Sequence, residues 1–492
     1  MPTDAGQCDV LSLKFQKPQA TEEFPVRGLA VRAGREALGL DFDVVSFSVV
    51  HRIDTGWMNV RGGESIGEEG AETVTEIWSS VVSSVQGCLR QPALCRYQTL
   101  YGCGRLKMVL GIANQRETTV LWDRETGKPL YGAIVWNDDR TAGLCARLAD
   151  QFRSRGGVDA FRRTTGLPIS TYFSAYKILW MIENVPEVAE AVAAGRCMFG
   201  TVDCWLVYRL TGRARHCVDV TNASRTGLMD LRTLAWSEEV VRALGLEGVI
   251  LPEIVSSAQE VGEVTAQELT ENDSDSCLNG ATIAGCVGDQ QASMLGHQLQ
   301  PQHVKSTYGT GCFVLMNTGR TVVESNHGLL STVAFKLGRD APAMYALEGA
   351  IGTAGQGISW LRDALEMIDS SEESERVAIE AEDCQGVLFV PAFSGLLAPF
   401  WCPDARAAIL GMTYATERKH IVRAMLAAIC FQNKAVLNAM AADCDGDIDR
   451  IVVDGGYRSR RWTCGGGSLT LSLSLALRAS LALQGAPLPI RC

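Results

Sequence analysis

The sequence predicts an α/β protein of two or three domains, and three observations carry that expectation. The chain has 492 residues, about three times the usual domain size. Apolar runs of strand length alternate along it with helically spaced segments. Three of the strands run into a turn of Gly and Asp or of Gly-Thr-Gly, at 285–291, 308–312 and 452–456. Hydrophobic residues make up 47% and charged residues 21%, the usage of globular domains that bury a core without staples.

Residues 1–36 mix charge, Pro and Gly without a period and read as a poorly ordered extension. Residues 37–50 (ALGLDFDVVSFSVV) are strand-like, and the glycine-rich stretch 56–70 is loop. Trp78, Val81, Val82 and Val85 give helical spacing over 76–85. The apolar run 107–113 leads straight into Asn114-Gln115-Arg116-Glu117; 119–122 and 133–136 are two further strands. Helices are expected at 176–184 and 188–194, and a strand followed by a helix over 197–209. Strands follow at 281–287 and 304–308, helices at 359–367 and 372–384, a buried strand at 387–391, a long helix at 420–441 and a strand at 448–453.

Net charge is −11, from 45 Lys+Arg against 56 Asp+Glu. That balance disfavours a partner with a phosphate backbone, such as a nucleic acid, and suits a protein acting on small molecules. The 17 cysteines are scattered, with no C-x-x-C, which reads as reduced thiols in a cytoplasmic protein. The N-terminus lacks a signal-peptide pattern. No uncharged apolar window of spanning length stands out, so stable membrane insertion is not expected. The six histidines show no metal spacing, so no protein-ligated metal follows from them.

The strand ends are where chemistry is expected. A glycine turn after a strand exposes backbone N–H groups that can cradle phosphate oxygens, and an Asp beside it can hold Mg²⁺ or take a proton from an attacking hydroxyl. The Walker pattern is absent, which disfavours a P-loop fold. Arg116 and Glu117 follow a strand, so one turn can offer a donor fork and an acceptor to vicinal hydroxyls. Read alone, Glu117 is as readily half of a surface ion pair, Asp289 a helix cap, and Trp136, Tyr172 and Phe313 core aromatics.

Taken together these segments resemble the glycerol kinases, within the FGGY carbohydrate kinases. The resemblance runs through 114–120 (NQRETTV), 122–130 (WDRETGKPL), 133–141 (AIVWNDDRT), 172–177 (YFSAYK), 221–226 (TNASRT), 288–291 (GDQQ), 307–313 (TYGTGCF), 391–401 (PAFSGLLAPFW) and 453–456 (VDGG). It implies two ribonuclease-H-like domains of actin/hexokinase type with an interdomain cleft. These would be a glycerol-side domain over 37–292 and a nucleotide-side domain over 300–456, with a divergent tail at 457–492. It implies glycerol and ATP as substrates, Mg²⁺ as cofactor, and ATP-dependent phosphorylation of glycerol to sn-glycerol 3-phosphate. Asp289 would be the catalytic base. Arg116, Glu117, Trp136, Tyr172, Asp289, Gln290 and Phe313 would bind glycerol. Thr310, Gly309 and Gly311 would form the phosphate hairpin, and Gly355 and Gly456 would let adenosine lie close to the backbone.

The chain departs from that pattern at both ends. The opening Asp-x-Gly-Thr phosphate hairpin is replaced by Leu38-Gly-Leu-Asp41-Phe-Asp43, which leaves Asp41 as the Mg²⁺ candidate without the glycine or the hydroxyl. Beyond Gly456 the alternating leucines of 469–477 suit a strand where the family has helices. The missing hairpin favours one rival reading, a non-catalytic binding protein; a second rival keeps the kinase chemistry and takes another small polyol as substrate. Oligomeric state stays open.

Overall fold

The computed structural model describes residues 109–265, 280–444 and 448–455, together with Val74, Ile77 and Trp78. The expectations for 1–36, 37–50, 56–70 and 457–492, and the candidates Asp41 and Gly456, lie outside these residues, as does most of 76–85. The chain divides into two compact units. The first holds the described residues up to Gly296 together with Thr332–Ala343, and the second holds His297–Ser331 and the rest from Met344.

The principal elements of the first unit are β1 (Val109–Asn114), β2 (Val120–Asp123), α1 (Ala142–Gln151), α2 (Ser174–Asn184), α3 (Pro186–Ala193), β3 (Cys197–Gly200), α4 (Val202–Leu210), β4 (Cys217–Asp219), α5 (Val220–Ala223), β5 (Glu253–Val255), β6 (Ala258–Glu263), β7 (Thr282–Gly288) and α6 (Asp289–Gly296). β1 and β7 run parallel, with Asn114 opposite Gly288, and β6 closes the sheet antiparallel to β7. β7 is apolar nearly throughout because both of its faces are covered. α4 is buried almost all round, as a helix with apolar residues on every side must be. Trp122 of β2 lies at the centre of an aromatic cluster, its ring centroid 5.1 Å from Trp205, 5.3 Å from Tyr208 and 5.3 Å from His216.

The second unit contributes β8 (His303–Tyr308), β9 (Cys312–Gly319), the first two residues of β10 (Leu330–Phe335, which from Thr332 on belongs to the first unit), β11 (Met344–Ile351), α7 (Gly355–Asp363), α8 (Glu373–Ile379), α9 (Arg418–Asp443) and β12 (Arg450–Asp454). Its sheet has the order β10-β11-β9-β8-β12. β9 pairs antiparallel with β8 on one side and β11 on the other, and β12 joins β8 in parallel, which requires a crossover such as the one containing α9. By length and hydropathy α9 passes for a membrane span. Its Ile421, Val422, Met425, Ile429, Val436 and Met440 are instead built into the core of the unit.

Four expectations change. Residues 133–136 are not a strand: Ile134 makes one bridge to Thr119, and Asp138 N–H then turns back to the Val135 carbonyl. The helix expected at 359–367 starts four residues earlier, as α7, because the amides of Ala354, Gly355 and Gln356 are tied to the carbonyls of Gly309 and Thr310. The helix expected at 372–384 is the shorter α8. The strand expected to be buried at 387–391 is Leu388–Val390, paired among the described residues only with Ala408–Leu410, and Leu388 is exposed.

Trp122 tests the first core. It is fully buried, and its indole N–H has no partner among the described residues. Trp122→Ala is expected to lose about 3–5 kcal/mol in urea unfolding, as large aromatic truncations do. Trp122→Phe is expected to lose less than half of that, since it keeps the ring contacts and removes an unsatisfied donor.

Candidate active site

The site grows from the ends of β1 and β7, which their register holds side by side. Past Asn114 the chain turns sharply, and Glu117 takes a φ of 58°. That left-handed backbone costs a residue with a Cβ about 1–2 kcal/mol. Three donors hold the Glu117 carbonyl in place: Thr119 Oγ1 at 3.0 Å, Ser174 Oγ at 3.1 Å and Lys177 Nζ at 3.2 Å. Lys177 also donates to the Tyr172 carbonyl at 2.9 Å. One buried ammonium from α2 therefore fastens two loops that carry candidate ligand-binding side chains.

Arg116 lies at the centre of the group. Its Nη1 donates to Gln291 Oε1 and its Nη2 to the Tyr172 hydroxyl, each at 3.4 Å. Its Nε is 3.6 Å from Asp289 Oδ1 and 4.0 Å from Glu117 Oε1. Glu117 is held more tightly by Arg225, whose Nε donates to Oε1 at 2.6 Å and whose guanidinium carbon lies 5.4 Å from the centre of the Tyr172 ring. Trp136 meets Tyr172 edge-on at 5.8 Å between ring centroids. Gly288 has to be glycine, since a Cβ there would come within 2.8 Å of Arg116 Cγ.

Burial separates the roles. The side chains of Arg116 and Glu117 are 2% exposed, whereas that of Asp289 is 46% exposed. The pairs behind it neutralise charge in a low-dielectric setting, while the Asp289 carboxylate is open to a ligand and still oriented by its neighbours. Gln290 contributes to that orientation: its backbone N–H donates to Asp289 Oδ1 at 2.8 Å and its side-chain amide to Oδ2 at 3.0 Å.

The first unit thus gathers Arg116, Glu117, Trp136, Tyr172, Asp289 and Gln290. Phe313 lies on β9 in the second unit. In that unit Gly309, Thr310 and Gly311 form the turn between β8 and β9, closed by a bond from Gly309 N–H to the Gly311 carbonyl at 2.9 Å. Thr310 is exposed at the tip, and open space faces the Cα of Gly309. Gly355 N–H is spent on the Gly309 carbonyl at 3.0 Å, so its contribution is close packing of backbone on backbone.

Residues not singled out from the sequence are Arg225, Gln291, Lys177 and Ser174. Lys177 left a signal, a lone cation inside the apolar stretch SAYKILWM of α2. Arg225 stands in the TNASRT segment at 221–226 that carries the resemblance, but nothing there marks its side chain as buried, because a guanidinium beyond a short helix is usually at the surface.

Lys177 supplies a test of this framework. Burial, opposed by the nearby Glu117 carboxylate, pulls its ammonium down to about 7. Between that value and its ordinary one the unfolded chain binds more protons than the folded chain, so stability rises with pH across that window. Below pH 7 both states hold the proton and the full cost of burial applies. Lys177→Met is expected to abolish this rise when denaturant midpoints are compared at pH 6.5 and pH 9.5.

The N-terminal domain of the FGGY family of carbohydrate kinases matches residues 68–296, and its C-terminal domain matches residues 304–464. A curated glycerol kinase of Arabidopsis thaliana is 48% identical over 343 residues, which are 69% of this chain and 64% of that protein. One of Brucella anthropi is 49% identical over 351 residues, 70% of this chain and 68% of that protein. One of Renibacterium salmoninarum is 45% identical over 386 residues, 78% of this chain and 72% of that protein. The chain therefore spans about two thirds of the length of these relatives, and less than that of the Arabidopsis protein. A crystal structure of Plasmodium falciparum glycerol kinase with ADP superposes with a TM-score of 0.65 at 38% identity, covering 78% of this chain and 72% of that one. A ligand-bound xylulose kinase of Lactobacillus acidophilus, 19% identical, reaches a TM-score of 0.63 over 83% of this chain and 80% of its own, a likeness of fold. The architecture is the two-domain α/β fold of actin/hexokinase type. Because the two family domains follow one another in order along both units, the chain belongs to the FGGY family of carbohydrate kinases.

Proposed function

We propose that this chain transfers the γ-phosphoryl group of ATP to a terminal hydroxyl of glycerol, giving sn-glycerol 3-phosphate. The observation that carries the reading is the Arg116–Glu117–Tyr172–Asp289 group: an uncharged triol asks for paired donors and acceptors, and these are present on rigid elements beside one exposed carboxylate. The curated relatives at 45–49% identity are glycerol kinases, which favours glycerol over other polyols. A site that hydrogen-bonds each hydroxyl discriminates against analogues lacking one, since the contacts made to that hydroxyl are lost.

In this reading Arg116 donates to and Glu117 accepts from adjacent hydroxyls, Tyr172 adds a phenolic contact, and Trp136 covers the carbon chain. Phe313 is proposed as a further apolar wall, and Gln290 as a group that aligns the base. Asp289 accepts the proton of the attacking hydroxyl as the O–P bond forms. Arg116, 3.6 Å away, keeps that carboxylate aimed. Phosphoryl transfer depends mostly on such positioning.

The turn at Gly309, Thr310 and Gly311 is proposed to receive ATP phosphates on its free N–H groups and the Thr310 hydroxyl, with Gly355 and Gly456 near the nucleoside. Mg²⁺ suits this donor set. Magnesium at phosphates takes only one or two carboxylates from the protein, and the described residues hold no cluster of three or more metal-ligating groups. Asp41, the candidate metal ligand, lies outside the described residues. When bound, Mg²⁺ would supply charge neutralisation to the transferring phosphoryl. A cytoplasmic setting accords with the ten described cysteines, all free thiols.

The test is glycerol-dependent ADP formation in a coupled assay, with glycerol binding followed by calorimetry. Asp289→Asn is expected to cost about 10²–10⁴-fold in kcat, the range of a lost general base, with glycerol binding retained. Wild-type turnover in that variant would refute the assignment of the base, and no glycerol-dependent turnover in the unsubstituted chain would refute the activity.

A further inference from the structure

Behind the site lies a fully buried carboxylate that touches none of the proposed ligand-binding groups. Asp219 ends β4 and caps α5. It accepts five hydrogen bonds. Oδ1 takes them from Thr221 Oγ1 at 2.6 Å, Asn222 N–H at 2.9 Å and Asn222 Nδ2 at 2.8 Å. Oδ2 takes them from Thr221 N–H at 3.0 Å and Ser257 Oγ at 2.7 Å. A second buried carboxylate, Asp203 Oδ2, accepts the Asp219 N–H at 3.1 Å.

Two arms leave this centre. The first is Thr221: its hydroxyl donates its proton to Asp219, so its lone pairs face outward, and one accepts the Gly288 N–H at 2.9 Å. Gly288 directly precedes Asp289. The second is Asn222, which exchanges reciprocal amide bonds with Asn114, each 3.0 Å. Asn114 Nδ2 also donates to the Gln115 carbonyl at 2.8 Å, at the start of the turn that carries Arg116 and Glu117. Asn114 and Gly288 are register partners on adjacent parallel strands. One carboxylate thus reaches both strand ends through two different side chains.

The geometry points to Asp219, Thr221 and Asn222 as positioning residues with separable duties. The Thr221 arm sets the end of β7 that presents Asp289 and so acts on turnover. The Asn222–Asn114 arm sets the turn that presents Arg116 and Glu117 and so acts on substrate affinity. A simple structural role would lower stability in both arms without dividing the kinetic constants. This inference rests on the reading of Asp289 as the base.

The experiment is steady-state kinetics of Thr221→Val, Thr221→Ser and Asn114→Ala beside Asp289→Asn, with thermal unfolding recorded for each. Thr221→Val keeps the shape and removes the acceptor; kcat is expected to fall about 10–100-fold with the glycerol KM within about threefold, as for a reacting group displaced by a fraction of an ångström to an ångström. Thr221→Ser restores the hydroxyl and is expected to return kcat to within about threefold of wild type. Asn114→Ala is expected to raise the glycerol KM about tenfold or more with kcat within about threefold. Should Thr221→Val not fold, Thr221→Ala carries the same expectation for kcat. Wild-type kcat in folded Thr221→Val or Thr221→Ala overturns the inference, as does an equal shift of kcat and KM in both arms. If Asp289→Asn loses turnover while Thr221→Val keeps it, the positioning role alone falls. If Asp289→Asn keeps turnover, both readings fall, since the strand end then has no catalytic group to position.

Discussion

The alignment of Asn114 with Gly288 is the constraint on which the site depends. Parallel strands leave their C-terminal ends on the same side of a sheet, and this register leaves them level. The turn after β1 then brings Arg116 and Glu117 beside the first residue of α6, which is Asp289. A shift of one residue would carry the turn, and Arg116 with it, along β7 and away from Asp289. The glycine at 288 is part of the same constraint, because the Arg116 side chain lies in the space a Cβ would fill.

Charge is handled in depth in the first unit. Arg116, Glu117, Lys177, Arg225, Asp203 and Asp219 are all buried. Isolated ions would not be tolerated there. Each is met by a counter-charge or by several hydrogen bonds: Arg225 by Glu117, Lys177 by two carbonyls, and Asp219 by five donors. Such a network contributes less to net stability than to direction, since every member fixes the orientation of the next. The exposed carboxylate of Asp289 stands at the edge of this rigid polar structure, the arrangement a group needs if it is to meet a small hydroxylated ligand without reorganising.

The second unit uses backbone where the first uses side chains. Its turn at Gly309–Gly311 is stapled to the start of α7 by three amide bonds, and Asp454 at the end of β12 receives the Thr307 hydroxyl and His297.

The sequence by itself determined the alternation of strands and helices and the positions of β1, β2, β7, β8 and α9, because strand ends followed by Gly, Asp and Arg are local patterns, readable from neighbours in the chain; the grouping of Arg116, Glu117 and Tyr172 with Asp289 came from the family resemblance of their segments. Residues 133–136 and the start of α7 escaped it, since one depends on where a turn closes and the other on carbonyls more than forty residues away in the chain. Arg225, Gln291, Lys177 and Asp219 also escaped, for the same reason on a larger scale. A buried charge takes its meaning from partners brought to it by folding, and Arg225 and Glu117 are 108 residues apart. Only the tertiary structure decides which distant donor meets which acceptor, and with it which polar residues leave the solvent.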